Sequence, residues 1–140
     1  VKEKDGIQFY NDSKATNPTA TVRSIEAFEG RPVVLVCGGL DRGSDYMELL
    51  PVFRTSVAGV VALGQTRDKL LRVAELAGIE KRAAVDEPDP PEAIRKAAEL
   101  AAGFAEPGMV VLLSPACASW DMFPSFEDRG RMFKHSVHTL

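Results

Sequence analysis

Apolar runs along the chain alternate with segments in which apolar residues recur every three or four positions. The first run alternates apolar and polar side chains, as a short strand does, whereas the later runs are almost continuously apolar. Short continuous apolar runs are typical of strands that are buried on both faces of a sheet. The pattern therefore predicts strands at residues 6–10, 32–37, 57–63, 83–85 and 109–113.

Capping residues and prolines mark predicted helices between these strands. Asn17 can cap a helix whose first position is Pro18, and Ser44 can cap a short helix that Pro51 cuts or bends. Further helices are predicted at residues 70–77, from Asp89–Pro90 to the residues before Pro107, and after Ser125. Because strands and helices alternate, the predicted fold class is α/β: a doubly wound, mostly parallel sheet with helices on both faces, Rossmann-like but without the dinucleotide-binding sequence.

The composition indicates one domain, since 140 residues of which 45% are hydrophobic can build one core. The net charge of −3, from 17 basic and 20 acidic residues, leaves no basic surplus for a nucleic-acid backbone. No apolar run approaches the roughly 20 residues that span a bilayer, and the first residues lack the pattern of a signal peptide. We therefore expect a cytoplasmic monomer that binds neither nucleic acid nor membrane.

The cysteines and histidines offer little chemistry. Cys37 and Cys117 have no metal-ligand spacing, so two free thiols are expected and no metal site. His135 and His138, the only two histidines, lie near the end of the predicted last helix, where a solvated structural role is favoured. Catalysis by this chain is therefore not expected to depend on a histidine in the core.

Two polar clusters follow predicted strands, at residues 11–18 and 114–123, and a glycine-rich turn at residues 38–43 follows a third. In a parallel sheet, the carboxyl ends of the strands share one edge, where ligands bind. These turns would gather two cations and several hydroxyls, a chemistry suited to carboxylates and other small anions: Lys14, Thr16, Arg42, Ser114 and Ser119. The sequence therefore predicts one shared anion site at this edge.

Other interpretations of the same residues stay open. Asp12, Ser13 and Asn17 can simply shape a turn and a helix cap, and residues 38–43 can be an ordinary glycine turn with a solvated pair of Asp41 and Arg42. For Trp120, packing against the face of the domain is favoured over stacking on a ligand. The small residues at 115, 116 and 118 allow close approach of backbones. An independent dinucleotide site is disfavoured, because neither glycine-rich phosphate-binding motif is present.

Four stretches carry a resemblance to a known family: residues 10–17, 38–43, 112–119 with Asp121 and Phe123, and 126–130 leading to Phe133. In them the chain resembles the C-terminal domain of the Mur ligases of bacterial peptidoglycan synthesis, most closely the branch that adds D-glutamate. The stretches are spread over the whole chain. The first and third are long and specific, and the second is weaker.

The resemblance implies an ATP-dependent ligase that joins D-glutamate to UDP-N-acetylmuramoyl-L-alanine through an acyl phosphate. It implies that Lys14, the expected catalytic residue, and Thr16 lie toward the amino acid and the reacting phosphate, and that Asp12 lies on the nucleotide side. Arg42 and Ser119, with the backbone of Trp120 and Phe126, would hold the side-chain carboxylate of D-glutamate. Cys117 then becomes a small packing residue rather than a nucleophile.

Two departures from the family pattern matter. Arg42 stands where the family more often has lysine, and a planar fork and a point charge need different geometry. The chain also lacks the phosphate loop, metal ligands and nucleotide-sugar site of the complete family enzyme. Residues 1–140 are therefore predicted to be one domain of a larger three-domain ligase, inactive alone, with ATP and Mg²⁺ bound mainly by the other domains. The alternatives are a ligase domain for another amino acid, of Mur or folylpolyglutamate type, and a non-catalytic α/β ligand-binding module.

Overall fold

The computed structural model describes residues 2–140, which form a single six-stranded sheet flanked by five α-helices. The strands are β1 (Lys2–Lys4), β2 (Ile7–Asn11), β3 (Val33–Cys37), β4 (Val57–Leu63), β5 (Lys81–Val85) and β6 (Val110–Leu113). The helices are α1 (Pro18–Glu26), α2 (Leu50–Ser56), α3 (Arg67–Leu76), α4 (Pro90–Phe104) and α5 (Phe126–His138).

The strand order is β1-β2-β6-β3-β4-β5, and every neighbouring pair is parallel except β1 with β2. This confirms the predicted α/β class. β6, the last strand in the sequence, lies between β2 and β3, so the turn that follows it adjoins the turns after two much earlier strands. The topology thus brings both polar clusters of the sequence to one edge of the sheet.

Both faces of the sheet are covered by helices. Along β3, Val33 and Leu35 belong to a core that also contains residues of α1, α2 and α3, whereas Val34 and Val36 belong to a second core with residues of α4 and α5. All five residues of β3 are fully buried. Successive side chains of β3 enter opposite cores. Its continuous apolar run therefore reflects a strand buried on both faces of the sheet, as predicted.

The helix starts at Asn17 and Ser125 are confirmed. The Asn17 side chain accepts a hydrogen bond from the Ala20 backbone at 2.9 Å, and Ser125 Oγ accepts one from the Asp128 backbone at 3.2 Å. The prediction for Ser44 and Pro51 is wrong. Ser44 Oγ accepts from the Tyr46 backbone within a turn, and Pro51 lies in the first turn of α2 after a 3-10 helix at Met47–Leu49, where its missing N–H needs no partner.

The antiparallel strand β1 was not predicted, because its three residues are all charged. The residues that join it to β2, Asp5 and Gly6, both have positive φ, 54° and 79°. An Asp-Gly pair flanked by alternating apolar and polar residues is a strong sequence signal for a tight hairpin. Here only the strand after the pair alternates in this way. Within residues 2–140, no helix is both long and apolar enough to cross a membrane.

Candidate functional site

The turns after β3 and β6 are joined by their backbones. Gly38 N–H donates to the Pro115 carbonyl and Leu40 N–H to the Ala118 carbonyl, each at 2.9 Å. Gly38 has a φ of +114°, and a Cβ built there would lie 1.9 Å from the Leu63 carbonyl oxygen. Only glycine fits such a position. The small residues do allow the backbones to approach closely, and they join the two turns into one unit.

The turn after β4 completes this junction. Gly39 N–H donates to Thr66 Oγ1 at 3.1 Å, and Thr66 N–H returns a bond to the Gly39 carbonyl at 3.2 Å. The Asp121 carboxylate accepts a hydrogen bond from the Gln65 backbone at 3.1 Å. Burial raises the pKa of Asp121, because the charged carboxylate loses hydration. Three turns are therefore fixed relative to one another by hydrogen bonds whose donors and acceptors are mostly backbone.

A buried arginine, Arg129 of α5, joins the turns after β2 and β6. Its side chain is 1% exposed and donates to Ser13 Oγ at 2.9 Å, the Ser13 carbonyl at 2.7 Å and the Cys117 carbonyl at 3.0 Å. Burial lowers the pKa of Arg129 to about 10, which still leaves it charged near neutral pH. Among residues 2–140 it forms no salt bridge with a carboxylate. The sequence reasoning gave Arg129 no role, although it lies in one of the four stretches that carried the resemblance.

Asp12 sits at the end of β2 with most of its polar contacts already made. Its N–H donates to the Leu113 carbonyl at 2.7 Å, and its Oδ2 accepts from the hydroxyls of Ser24 and Ser114, the latter at 3.2 Å. Ser13 is equally engaged, since its Oγ donates to the Phe126 carbonyl at 2.6 Å. Asp12, Ser13 and Asn17 thus do shape the turn and cap α1, and these contacts leave a ligand role for Asp12 untested.

Lys14 and Thr16 lie on the turn that these contacts fix. Lys14 is exposed and forms no ion pair with any other residue between 2 and 140, and Thr16 is half-buried. The residue between them, Ala15, accepts a backbone hydrogen bond from Ala116 at 3.0 Å. A cavity of about 420 Å³ is lined by Asp12, Lys14 and Phe126, among others. Lys14 therefore offers an uncompensated cation beside a cavity.

Ser119 is 2% exposed, and its hydroxyl forms no hydrogen bond with another residue in the described part of the chain. Its carbonyl accepts from the backbones of Met122 at 3.1 Å and Phe123 at 2.8 Å, which holds the turn. Phe126, the first residue of α5, is partly exposed at 39%. A hydroxyl on a fixed turn, with its donor unused, is suited to binding an acceptor from a ligand.

Arg42 and Trp120 face each other from the turns after β3 and β6. The guanidinium carbon lies 5.1 Å from the centroid of the indole ring. Trp120 is 66% exposed, so the prediction that it packs against the face of the domain is wrong. The predicted solvated pair of Asp41 and Arg42 is also wrong, because the Asp41 carboxylate pairs with Lys69 at 2.9 Å.

Both cysteines are free and buried, as predicted. Cys117 Sγ donates to Tyr46 Oη at 3.3 Å, and burial raises the pKa of its thiol. Burial raises the pKa of Cys37 well above its ordinary value. Because the thiolate is the nucleophilic form, the burial of Cys117 and the raised pKa of its thiol favour a packing role over a reactive one.

The structure thus places the predicted residues on three adjoining turns. Lys14, Asp12 and Phe126 line one cavity, Arg42 and Trp120 contact each other, and Ser119 lies beside Trp120 on the turn that Arg129 ties to Ser13. No group of three or more metal-binding side chains occurs within residues 2–140. A larger cavity of about 690 Å³ lies between β5 and α4 and is lined by none of these residues.

Comparison with known proteins identifies related sequences. A family model described as "Mur ligase, glutamate ligase domain" matches residues 1–117. The chain is 51% identical over all 140 residues to the UDP-N-acetylmuramoylalanine--D-glutamate ligase of Geobacillus kaustophilus (strain HTA426), covering 30% of that protein. It is 50% identical over 133 residues, 95% of this chain, to the enzyme of that name from Bacillus cereus (strain B4264), covering 28% of it.

The chain therefore spans about 30% of the length of the curated relatives that it matches. The alignment with the Geobacillus kaustophilus relative covers the whole chain, so it includes Ser119 and α5, which lie beyond the match to the family model. On the identity over the full chain and on the match to the family model, the chain belongs to the Mur ligase family.

Proposed function

We propose that this chain is the amino-acid-binding domain of an ATP-dependent ligase that adds D-glutamate to UDP-N-acetylmuramoyl-L-alanine. One observation carries the proposal: the turns with Lys14, Arg42 and Ser119 are held together at one edge of the sheet by hydrogen bonds. The substrates follow from the names of relatives about half identical to the chain. In this proposal the chain binds D-glutamate, and the remaining substrates are bound mainly by other domains of the enzyme.

Arg42 and Ser119 are proposed to bind the side-chain carboxylate of D-glutamate, together with backbone groups of Trp120 and Phe126. Arg42 supplies a charge-assisted donor, and the Ser119 hydroxyl supplies a donor that no residue of the described chain uses. The first N–H groups of α5 lack partners within the helix, as at every helix start, and they favour a negative charge. These donors together suit one carboxylate.

Lys14 and Thr16 are proposed to act on the other side of the ligand, toward the amino acid and the reacting phosphate. Lys14 is exposed and unpaired among the described residues, so it can stabilise negative charge on a phosphate without first breaking an ion pair. Its position is set by Ala15, whose carbonyl is bound by the turn after β6. Because the backbone of this turn is fixed, little reorganisation is needed when the ligand binds.

The chain's residues fit one part of an ATP site. ATP would supply the phosphoryl group that activates a carboxylate, and Lys14 and Asp12 are the residues placed to contact it. The Asp12 carboxylate is held by two hydroxyls, so it presents a fixed acceptor to a ribose or a bound cation. Within residues 2–140 no cluster could hold Mg²⁺ alone, and we derive no step through a metal from this chain.

Arg129 is proposed to keep the two halves of this site in register. Its guanidinium binds Ser13 from one turn and the Cys117 carbonyl from the other. Its buried charge forms no salt bridge within residues 2–140, although Asp121 lies near enough to stabilise it, so an anionic ligand nearby can gain further electrostatic stabilisation. The domain thus presents a positive, preorganised surface, against which closure of the neighbouring domains can exclude water.

Complementation tests the proposal. The chain is fused to, or mixed with, the preceding domains of a relative, and ADP formation is measured with UDP-N-acetylmuramoyl-L-alanine and D-glutamate. We expect ADP to form with D-glutamate and much less with L-glutamate or other amino acids. Lys14→Met should reduce the rate by at least about tenfold, a modest loss for a group that stabilises developing charge, whereas Lys4→Met on the exposed strand β1 should not. Failure to form ADP with the intact wild-type chain would contradict the proposal.

A further inference from the structure

Trp120 is the only tryptophan of the chain, and it is exposed at a place where its neighbours are buried. The residues before it, Ala118 and Ser119, are 6% and 2% exposed, whereas Trp120 is 66% exposed. An exposed apolar ring contributes less to the stability of the fold than a buried one. The exposure of Trp120 therefore suggests a functional role. The described contact of the ring is with Arg42.

The contact between Arg42 and Trp120 follows from the backbone. Leu40 N–H donates to the Ala118 carbonyl at 2.9 Å. Arg42 and Trp120 each lie two residues beyond this hydrogen bond, on the two turns that it joins. Because the turns are tied at this point, the side chains that follow are brought together, and the guanidinium carbon lies 5.1 Å from the ring centroid. That distance is within the range of cation–π attraction.

Nearby carboxylates do not compete for Arg42. The Asp41 carboxylate pairs with Lys69 Nζ at 2.9 Å and accepts from Gly43 N–H at 2.9 Å. The Asp121 carboxylate accepts from Gln65 N–H at 3.1 Å. Each acid next to Arg42 or Trp120 in sequence thus has a donor of its own, and Arg42 forms no salt bridge within residues 2–140. The indole ring contacts Arg42 but leaves its positive charge uncompensated.

Stacking on a ring is compatible with binding a carboxylate. A guanidinium is planar, and its five N–H donors point outward in its own plane. Its face can therefore lie on the indole while its edge donates two parallel hydrogen bonds to a carboxylate. An arginine side chain also loses considerable rotamer entropy when it is immobilised by a ligand. A ring that restrains it beforehand reduces that loss.

We propose that the side chain of Trp120 is a positioning residue for Arg42: its indole face holds the guanidinium at the mouth of the site, ready to bind the distal carboxylate of the amino-acid substrate. The inference deepens the proposed function and rests on it. The indole side chain acts on the substrate only through Arg42, whereas the backbone of Trp120 keeps its own proposed contact with the carboxylate. Its loss should therefore weaken amino-acid binding without altering the chemical step.

The kinetics of the ligase that contains this chain test the inference. Trp120→Leu should raise the KM for D-glutamate about two- to fivefold, the effect expected from an exposed cation–π contact. The kcat and the KM values for ATP and the nucleotide sugar should be unchanged. Trp120→Phe, which keeps an aromatic face, should recover most of the affinity. Leu76→Ala, which alters another exposed apolar side chain on α3, is the matched control and should change none of these values.

A double-mutant cycle separates positioning from an independent contact. In an Arg42→Gln background, which has no cation to stack, Trp120→Leu should cause no further rise in the KM for D-glutamate. An additive effect of the two substitutions would overturn the inference, since Trp120 would then act without Arg42. So would a change in kcat or in the KM for ATP, which would instead place the ring against another domain during closure.

Fluorescence of the chain itself distinguishes failure of the inference from failure of the proposed function. Trp120 is the only indole, so Arg42→Gln should change the intensity or wavelength of its emission in the absence of any ligand. No change would overturn the stacking, whatever the substrate. If the emission of Trp120 changes on Arg42→Gln but the wild-type ligase does not use D-glutamate, the contact between Arg42 and Trp120 stands. The proposed substrate and the positioning role would then both be rejected.

Discussion

Ser119 combines burial with an unused hydroxyl. Its side chain is 2% exposed, and its turn is fixed by two backbone hydrogen bonds to its carbonyl, from Met122 and Phe123. No fully buried side-chain nitrogen or oxygen in the described part of the chain lacks a hydrogen-bond partner, so the Ser119 hydroxyl itself keeps some access to solvent. A hydroxyl with solvent access and no partner among the described residues is free to donate to a ligand.

We expect Ser119→Ala to weaken the use of D-glutamate by about 1–3 kcal/mol, because the ligand carboxylate would lose a buried hydrogen-bond donor. The measurement is kcat/KM for D-glutamate in the complete ligase. Ser136→Ala is a matched control, since Ser136 is also buried but lies on α5 ten residues beyond Phe126, about 15 Å along the helix. Unchanged KM and kcat for Ser119→Ala would contradict a role for this hydroxyl.

Individual residues were predictable to different degrees. Lys14, Arg42 and Ser119 could be selected because cations and hydroxyls after strand-like runs are conspicuous in the sequence. Arg129 could not be given a role in this way, since an arginine four residues into a predicted helix is ordinary until the helix is packed. Trp120 was placed wrongly, because a tryptophan is favoured inside by its size, whereas here the ring is exposed and lies near Arg42.

At the scale of elements, the site depends on how closely the turns after β3, β4 and β6 approach. The Pro115 carbonyl accepts a hydrogen bond from Gly38 N–H. On the other side, the Leu63 carbonyl oxygen would lie 1.9 Å from a Cβ added to Gly38. Both neighbours are backbone atoms, one at the end of β4 and one in the turn after β6, so neither can move without disturbing the sheet or that turn.

Gly38→Ala should therefore lower the free energy of unfolding by about 3 kcal/mol or more, from a clash added to the strain of a positive φ. Gly30→Ala is the control, since Gly30 has a φ of +76° but no atom within 4 Å of its Cβ position. It should cost only about 1–2 kcal/mol, the strain of the left-handed conformation. Urea unfolding of both variants measures the difference. Equal losses would mean that close approach contributes nothing at Gly38.

Elements were predicted well where one local signal decided them. Caps at Asn17 and Ser125, and apolar runs at β3, β4 and β6, follow from hydrogen bonding and burial within a few residues. The helix around Pro51 was placed wrongly because two local signals competed there, a serine that can cap a helix and a proline that can begin one. The proline lies in the first turn of α2, which begins at Leu50, and the serine instead closes a turn.

The whole molecule is one sheet with two cores, and the central strands contribute side chains to both. Phe53 of α2 belongs to one core and Phe133 of α5 to the other, and each is fully buried. Because β3 and β6 are shared, loss of packing on either face weakens the same strands. The two faces should therefore unfold together.

We expect Phe53→Ala and Phe133→Ala each to lower the free energy of unfolding by about 3–5 kcal/mol, the usual loss for a buried phenylalanine. Far-UV circular dichroism, which follows the helices, and Trp120 fluorescence, which follows the site, should report a single coincident urea transition in the wild type. Two separate transitions would show that the cores are independent. Leu76→Ala, at an exposed position of α3, should have little effect.

The sequence by itself determined the α/β class, most element positions and the types of side chain available for an anion, because periodicity, capping and turn chemistry act over short distances. Only the tertiary structure decided that β6 lies between β2 and β3, and hence that the turn with Ser119 adjoins those with Lys14 and Arg42. It alone also decided that Arg129 joins two of these turns and that the Arg42 guanidinium lies over the Trp120 ring. These contacts join residues up to 116 positions apart, and such long-range pairing depends on the packing of the complete sheet rather than on any local pattern.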